Sequence, residues 1–205
     1  MTKPPIPAAS GIVLAGGRSS RFGSDKLAET LRGRPLLDHA IAALAGVTTE
    51  VLVVVPPVVE APISPKSRST ATVHIVRDSE PFGGPLVGLL SGLERAAEPL
   101  AIVVGGDMPG LEPAVLRAML RALDNSENAI VALEFRGRVQ PLPMSVRVGA
   151  VTPLARRLLG SGERSLRSVL TVGRAARLPE VDWRSLDPAA ATLIDIDTRA
   201  DLDRA

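Results

Sequence analysis

The chain contains no cysteine and no tyrosine, only three phenylalanines and one tryptophan, and three lysines against 21 arginines. Each shortage closes a class of function. Without cysteine there is no disulfide framework, no zinc–thiolate centre, no iron–sulfur cluster and no cysteine nucleophile. With so few aromatic rings and a formal charge of only +2, the chain has little with which to stack bases or follow a polyanion, so nucleic acid is not an expected partner. No run of apolar residues reaches the length of a membrane span, and membranes are excluded in the same way. The first ten residues hold three prolines and a lysine but no apolar h-region, so they read as a loose leader, 1–10, rather than a signal peptide. A cytoplasmic protein with one domain over 11–205 is the expectation. The only histidines are His39, on a predicted helix, and His74, in the middle of a predicted strand, and both read as structural.

What is present is an alternation. Apolar runs end at Ala15, Val55, Val76 and Val104, and a fifth covers Ala129 to Phe135. Between them lie segments with helical spacing: Leu37, Ile41 and Leu44, then Leu86, Leu89, Leu90 and Leu93, then Leu116, Met119, Leu120 and Leu123. Strands alternating with helices of about a dozen residues predict an α/β fold, a single-domain, doubly wound, mostly parallel sheet covered on both faces. In the last third the pattern changes. Arg138 to Arg147 reads as an antiparallel excursion, followed by helices near Pro153 to Leu159 and Ser165 to Thr171, a short strand from Thr192 to Asp197, and a C-terminal helix capped by Thr198. The proline- and serine-rich stretch from Pro56 to Ser69 is the candidate mobile loop.

In such a sheet ligands collect at the carboxyl ends of the strands, and three polar stations fall there. The first is Gly11-Ile-Val-Leu-Ala-Gly-Gly-Arg-Ser-Ser-Arg-Phe-Gly-Ser-Asp-Lys26. A strand stops at Gly16-Gly17, where glycine permits positive φ and close approach of a ligand. Loop N–H groups can then bind an anion, with Arg18, Arg21 and Lys26 supplying positive charge. Lys26 is the only lysine within an ordered motif, since Lys3 and Lys66 lie in proline- and serine-rich stretches. The expected ligand is a nucleoside triphosphate. Neither the GxxxxGK[ST] of a P-loop nor the GxGxxG of a dinucleotide fold is present. The second station is Asp78 with Gly83-Gly84-Pro85, where proline opens a helix in its first turn; a solvated turn residue and an ordinary helix start are the plainer alternative. The third is Gly105-Gly106-Asp107-Met108-Pro109. A carboxylate at the end of a buried strand can hold Mg²⁺ against a phosphate, so Asp107 is the expected metal ligand, with an Asx turn as its structural alternative. Asp195 and Asp197, spaced i, i+2, point to one face of the predicted strand and can help hold the metal or face a second substrate.

The pattern LAGGxSxRxGxxK resembles the signature loop of nucleotidyltransferases that activate sugars, isoprenoid precursors and the molybdenum cofactor, and within them the chain resembles the molybdenum cofactor guanylyltransferases. The resemblance extends from Gly11 to about Leu202. It implies a Rossmann-like nucleotidyltransferase fold and GMP transfer from GTP to the terminal phosphate of the molybdopterin cofactor, with Mg²⁺ required. It also implies nucleotide contacts at Leu14, Ala15, Gly16, Gly17, Lys26, Asp78, Gly84 and Asp107, catalytic roles for Lys26, Arg21 and Asp107, and metal ligation by Asp107 with Asp197. Proteins of the molybdenum pathway are admitted as partners, and the expected state is a monomer or weak homo-oligomer. Gln140-Pro141 and Gly162-Glu163-Arg164-Ser165 resemble features that line the acceptor side.

Two departures keep alternatives open. Guanylyltransferases commonly carry NxN-T where this chain has Asp195-Ile-Asp197-Thr198, and D-x-D-T is more familiar in cytidylyltransferases. After the second strand the guanylyltransferase asparagine is replaced by Val54-Val-Pro56. A cytidylyltransferase or another NTP transferase with a different phosphorylated acceptor is therefore the alternative enzyme. A GTP-binding regulatory module is the non-enzymatic one, which Mg²⁺-dependent pyrophosphate release would exclude.

Overall fold

The computed structural model describes residues 7–16, 26–57, 71–79 and 83–204. They form β1 (Ala9–Leu14), a small antiparallel pair β2 (Thr30–Leu31) and β3 (Arg34–Pro35), α1 (Leu36–Ala45), β4 (Glu50–Val55), β5 (Thr72–Arg77), α2 (Pro85–Leu93), β6 (Leu100–Gly105) and α3 (Pro113–Asp124). After these come β7 (Ile130–Phe135), β8 (Arg138–Arg147), α4 (Val148–Gly160), α5 (Leu166–Val172), β9 (Ala176–Leu178), α6 (Glu180–Trp183) and α7 (Arg199–Arg204). Turns of 3-10 helix lie at Lys26–Ala28 and Ala191–Leu193.

Seven strands make one sheet in the order β5-β4-β1-β6-β8-β7-β9. Every neighbouring pair is parallel except those involving β8, which runs antiparallel to both β6 and β7. The expected doubly wound sheet and its antiparallel excursion are both present. The excursion turns through Arg136 and Gly137, both at positive φ, as a two-residue hairpin requires.

Alternation along the strands feeds two cores. Val13, Val51, Val53, Val55, Ile102 and Val104 face α1 and α3, while Ile12, Leu52, Val54, Ala101 and Val103 face α2, α4 and α5. With both faces covered, the central strands read as continuous apolar runs, which is why their sequence pattern was so plain. The single tryptophan, Trp183, is fully buried on the first side; its Nε1 donates to Glu134 O at 3.1 Å and its ring lies 6.1 Å from that of Phe135.

Three expectations change. β1 begins at Ala9, so Ala9 and Ser10, counted with the leader, lie in the sheet, where the Ser10 hydroxyl donates to Glu50 Oε1 at 2.6 Å. The helix expected near Pro153 starts earlier, at Val148, and carries Pro153 in its interior. Burial of Val151, Ala155 and Leu158 along one face outweighs the backbone bond that proline removes. The strand expected over Thr192 to Asp197 does not form: a 3-10 turn covers Ala191–Leu193 and no sheet partner follows. Much of Pro56 to Ser69 lies outside the described residues.

Packing of α2 on β1 is close enough to test. A Cβ on Gly92 would meet Ile12 Cγ2 at 2.7 Å, whereas one on Gly149 in α4 would meet nothing within 4 Å. Gly92→Val is expected to cost about 1–3 kcal/mol through overpacking. Gly149→Ala is expected to gain up to about 1 kcal/mol from helix propensity. Urea midpoints at unchanged slope measure both.

Candidate active site

The order of the strands locates the site. From β1 the chain moves outward through β4 and β5, then α2 carries it back across so that β6 pairs with the other side of β1. This reversal opens a crevice beyond the carboxyl ends of β1 and β6, where the first and third stations lie. Gly106 N donates to Leu14 O at 3.0 Å and Ala15 N to Val54 O at 2.8 Å, so Leu14, Ala15 and Gly16 leave the sheet directly beside Gly106-Asp107.

The two glycines before Asp107 have separate reasons. A Cβ on Gly105 would stand 2.5 Å from Asp107 Oδ1, so the carboxylate folds back through the space that glycine leaves free. A Cβ on Gly106 would press on Leu37 and Leu27 at 3.2 and 3.3 Å. Gly16 differs from expectation. It is exposed, its φ is not positive, and a Cβ there would meet only Pro56 at ordinary contact distance.

Lys26 is the centre of the cluster. Its Nζ donates to Asp107 Oδ2 at 2.9 Å and to Asp197 Oδ1 at 2.8 Å, and its side chain is only 11% exposed. Burial works against the charge of this ammonium, but the hydrogen bonds and negative charges of Asp197 and Asp107 outweigh it and hold the pKa above its ordinary value. Asp195 belongs to the same field. Partial desolvation of its carboxyl, then the negative charges of Asp197 and Asp107, raise its pKa.

The segment carrying these aspartates is tied down by residues that the sequence pattern did not single out. Buried Asp187 accepts from Ala191 N at 3.0 Å and Thr192 N at 2.8 Å, and Thr192 Oγ1 accepts from Glu112 N at 3.0 Å. Ile196 N donates to Asp107 O at 3.0 Å while its side chain packs with Leu31 and Leu36. These bonds take the N–H groups that a strand ladder would need. Asp195 and Asp197 still flank the buried Ile196, so the i, i+2 reading of their common side survives without a strand. Thr198 caps α7 as expected, in a reciprocal box: Asp201 Oδ2 accepts from Thr198 N at 2.8 Å, and Thr198 Oγ1 accepts from Asp201 N at 3.2 Å.

The second station adjoins the first. Asp78 Oδ1 accepts from Ser79 N at 2.8 Å and from Ser91 Oγ of α2 at 3.0 Å. A Cβ on Gly88 would meet Leu14 Cδ2 at 3.5 Å and Asp78 Oδ2 at 3.7 Å, so α2 brings Asp78 toward the end of β1. Gly84, at φ +92°, packs on Arg164, whose carbonyl accepts from Leu86 N at 3.2 Å. The Gly162 to Ser165 turn thus abuts the start of α2. Gly17 and Arg21 lie outside the described residues.

Chemically, the cluster offers two hard carboxylates and an ammonium at the mouth of a crevice. A small divalent cation takes one or two protein carboxylates and completes its octahedron with water and phosphate oxygens, so Asp107 and Asp197 fit Mg²⁺ bound together with a nucleotide. Among the described residues no group of three or more acidic or histidine side chains forms a ready-made cage. No described helix is long and apolar enough to cross a membrane.

Because the folded pKa of Lys26 is raised, its contribution to stability is whole below the ordinary lysine value and is lost as pH rises through the folded one. With no tyrosine or cysteine and only two other lysines, little else titrates there. Stability of the wild type is expected to fall as pH rises above the ordinary lysine value of about 10.4. In Lys26→Gln most of that slope should vanish, as read from urea midpoints.

Known proteins resemble this chain in sequence and in fold. The family model for the MobA-like NTP transferase domain matches residues 11–180. The protein named "Probable molybdenum cofactor guanylyltransferase" from Chloroflexus aggregans is 35% identical over 94% of this chain and 91% of its own length. A molybdenum cofactor guanylyltransferase from Cupriavidus metallidurans is 33% identical over 89% of this chain and 87% of its own. The crystal structure of molybdopterin-guanine dinucleotide biosynthesis protein A from Archaeoglobus fulgidus superposes with a TM-score of 0.76 at 20% identity, covering 95% of both chains, and so supports the fold. The chain belongs to the MobA-like NTP transferase family.

Proposed function

We propose that this protein transfers GMP from GTP to the terminal phosphate of the molybdopterin cofactor, in the cytoplasm, with release of pyrophosphate. The observation that carries the reading is Lys26 held on Asp107 and Asp197 at the mouth of the sheet's crevice, directly beside the Leu14-Ala15-Gly16 exit of β1. The names of the relatives favour guanine and a pterin acceptor.

The chemistry asks little of side chains as acids or bases. A phosphate monoester has a second pKa of about 6 and is largely dianionic at neutral pH, so the nucleophile needs no general base. A terminal phosphate oxygen of the acceptor attacks the α-phosphorus of GTP, the bond from that phosphorus to the bridging α–β oxygen breaks, and pyrophosphate departs. What the protein supplies is position and charge. The end of β1 and Gly16 receive the triphosphate, Lys26 offers its ammonium to the phosphate oxygens, and Arg21 neutralises the leaving group. Asp107 and Asp197 would hold Mg²⁺, which when bound draws electron density from the α-phosphate and screens its charge. Asp78 and the start of α2, from Gly84, line the nucleoside side.

Asp195-Ile-Asp197-Thr198 favours a second reading, CTP as donor with another phosphorylated acceptor. Pyrophosphate release from GTP, CTP, ATP and UTP, with Mg²⁺ and molybdopterin cofactor, separates the two. The expected result is release from GTP alone and only with acceptor. Lys26→Ala and Asp107→Ala should each lower turnover about 100-fold or more. Full activity of Asp107→Ala with unchanged metal dependence would reject the assignment.

A further inference from the structure

One oxygen of each carboxylate that would take a divalent cation is already in use. Asp107 Oδ2 and Asp197 Oδ1 both face Lys26 Nζ, at 2.9 and 2.8 Å, and Lys26 has no third acceptor among the described residues. Its position is not that of a freely swinging surface lysine. The side chain is 11% exposed, it begins a 3-10 turn, and the next residue, Leu27, packs against the core beside Gly106.

A cation bound to both carboxylates would sit about 2.0–2.1 Å from their oxygens. That places it against an ammonium at hydrogen-bond distance from the same atoms, and like charges at such separation repel in a partly desolvated site. Ammonium and divalent cation therefore compete for the pair. A cation arriving alone has to push a buried ammonium away from the only acceptors it has among the described residues. A triphosphate arriving alone has to draw Lys26 off two carboxylates and leave them, with Asp195 nearby, uncompensated. When both arrive together the exchange balances: Lys26 passes to phosphate oxygens and the cation takes the carboxylates.

Resting on the metal and phosphate roles proposed above, we infer that Lys26 is the resident counter-ion of the Asp107–Asp197 pair, keeping the cation position closed until a triphosphate draws it away. The site then selects the metal–nucleotide complex over either component, and the coupling is reciprocal, as linkage requires.

The test is Mn²⁺ binding to the full chain without nucleotide, read from loss of the free-ion electron paramagnetic resonance signal. The expected result is weak binding by the wild type and at least tenfold tighter binding by Lys26→Gln and Lys26→Met, two variants used together so that a folding defect in one, seen by circular dichroism, does not decide the answer. Equal or weaker binding by the folded variants overturns the inference. The same titration with GTP present then separates the causes. If Asp107→Asn weakens binding of the Mn²⁺–GTP complex, the metal assignment stands and only the counter-ion role is lost. If Asp107→Asn has no effect, the metal assignment falls with it.

Discussion

One ammonium joins three distant parts of the chain. Lys26 follows the glycine-rich loop, Asp107 lies two residues past the end of the central strand β6, 81 positions later, and Asp197 lies in the C-terminal segment, 171 positions from Lys26. Without the lysine, two carboxylates would face each other at the end of a buried sheet with a third close by; without either carboxylate, a largely buried ammonium would lose one of the two acceptors it has among the described residues. Breaking such a partly buried pair from one side costs more than the pair contributes, because the remaining charge is left uncompensated. The cluster is therefore a constraint on the fold as well as a chemical site.

The architecture serves that constraint. The reversal of strand order at β1 and β6 opens the crevice, the glycines before Asp107 let its carboxylate fold back over the strand end, and Asp187 with Thr192 fixes the turn from which the last aspartates emerge. Ile196 then ties that segment to Asp107 by a backbone bond. The proposed chemistry and the folding share the same few contacts, so a change in the cluster is felt in both.

Much of this was legible in the sequence for a physical reason. Strands buried on both faces show as unbroken apolar runs, and helices between them show a 3.6-residue period, so the doubly wound sheet and the strand-end stations at Gly16, Asp78 and Asp107 could be placed from residue pattern alone. The antiparallel excursion from Arg138 to Arg147 was also expected, and the structure adds the tight Arg136-Gly137 turn that precedes it. The Thr192 to Asp197 segment misled because charged, apolar, charged is the period of a strand, while its N–H groups go to the side chains of Asp187 and Asp201 and to the carbonyls of Ala190, Ala191 and Asp107. Asp187 was invisible as a functional support: nothing local distinguishes an aspartate that templates a distant turn from one that is solvated. That Lys26 bridges Asp107 and Asp197 is a long-range fact, which the spacing of motifs along the chain does not contain.

The scarcity of lysine makes the central claim directly measurable. With only Lys3, Lys26 and Lys66 in the chain, ¹⁵N-lysine labelling yields at most three side-chain ammonium signals. One slowly exchanging, shifted Nζ resonance is expected, abolished by Lys26→Gln and displaced toward the ordinary lysine position by Asp197→Asn and by Asp107→Asn alike. Three signals with ordinary shift and rapid exchange, indifferent to both aspartate substitutions, would contradict it.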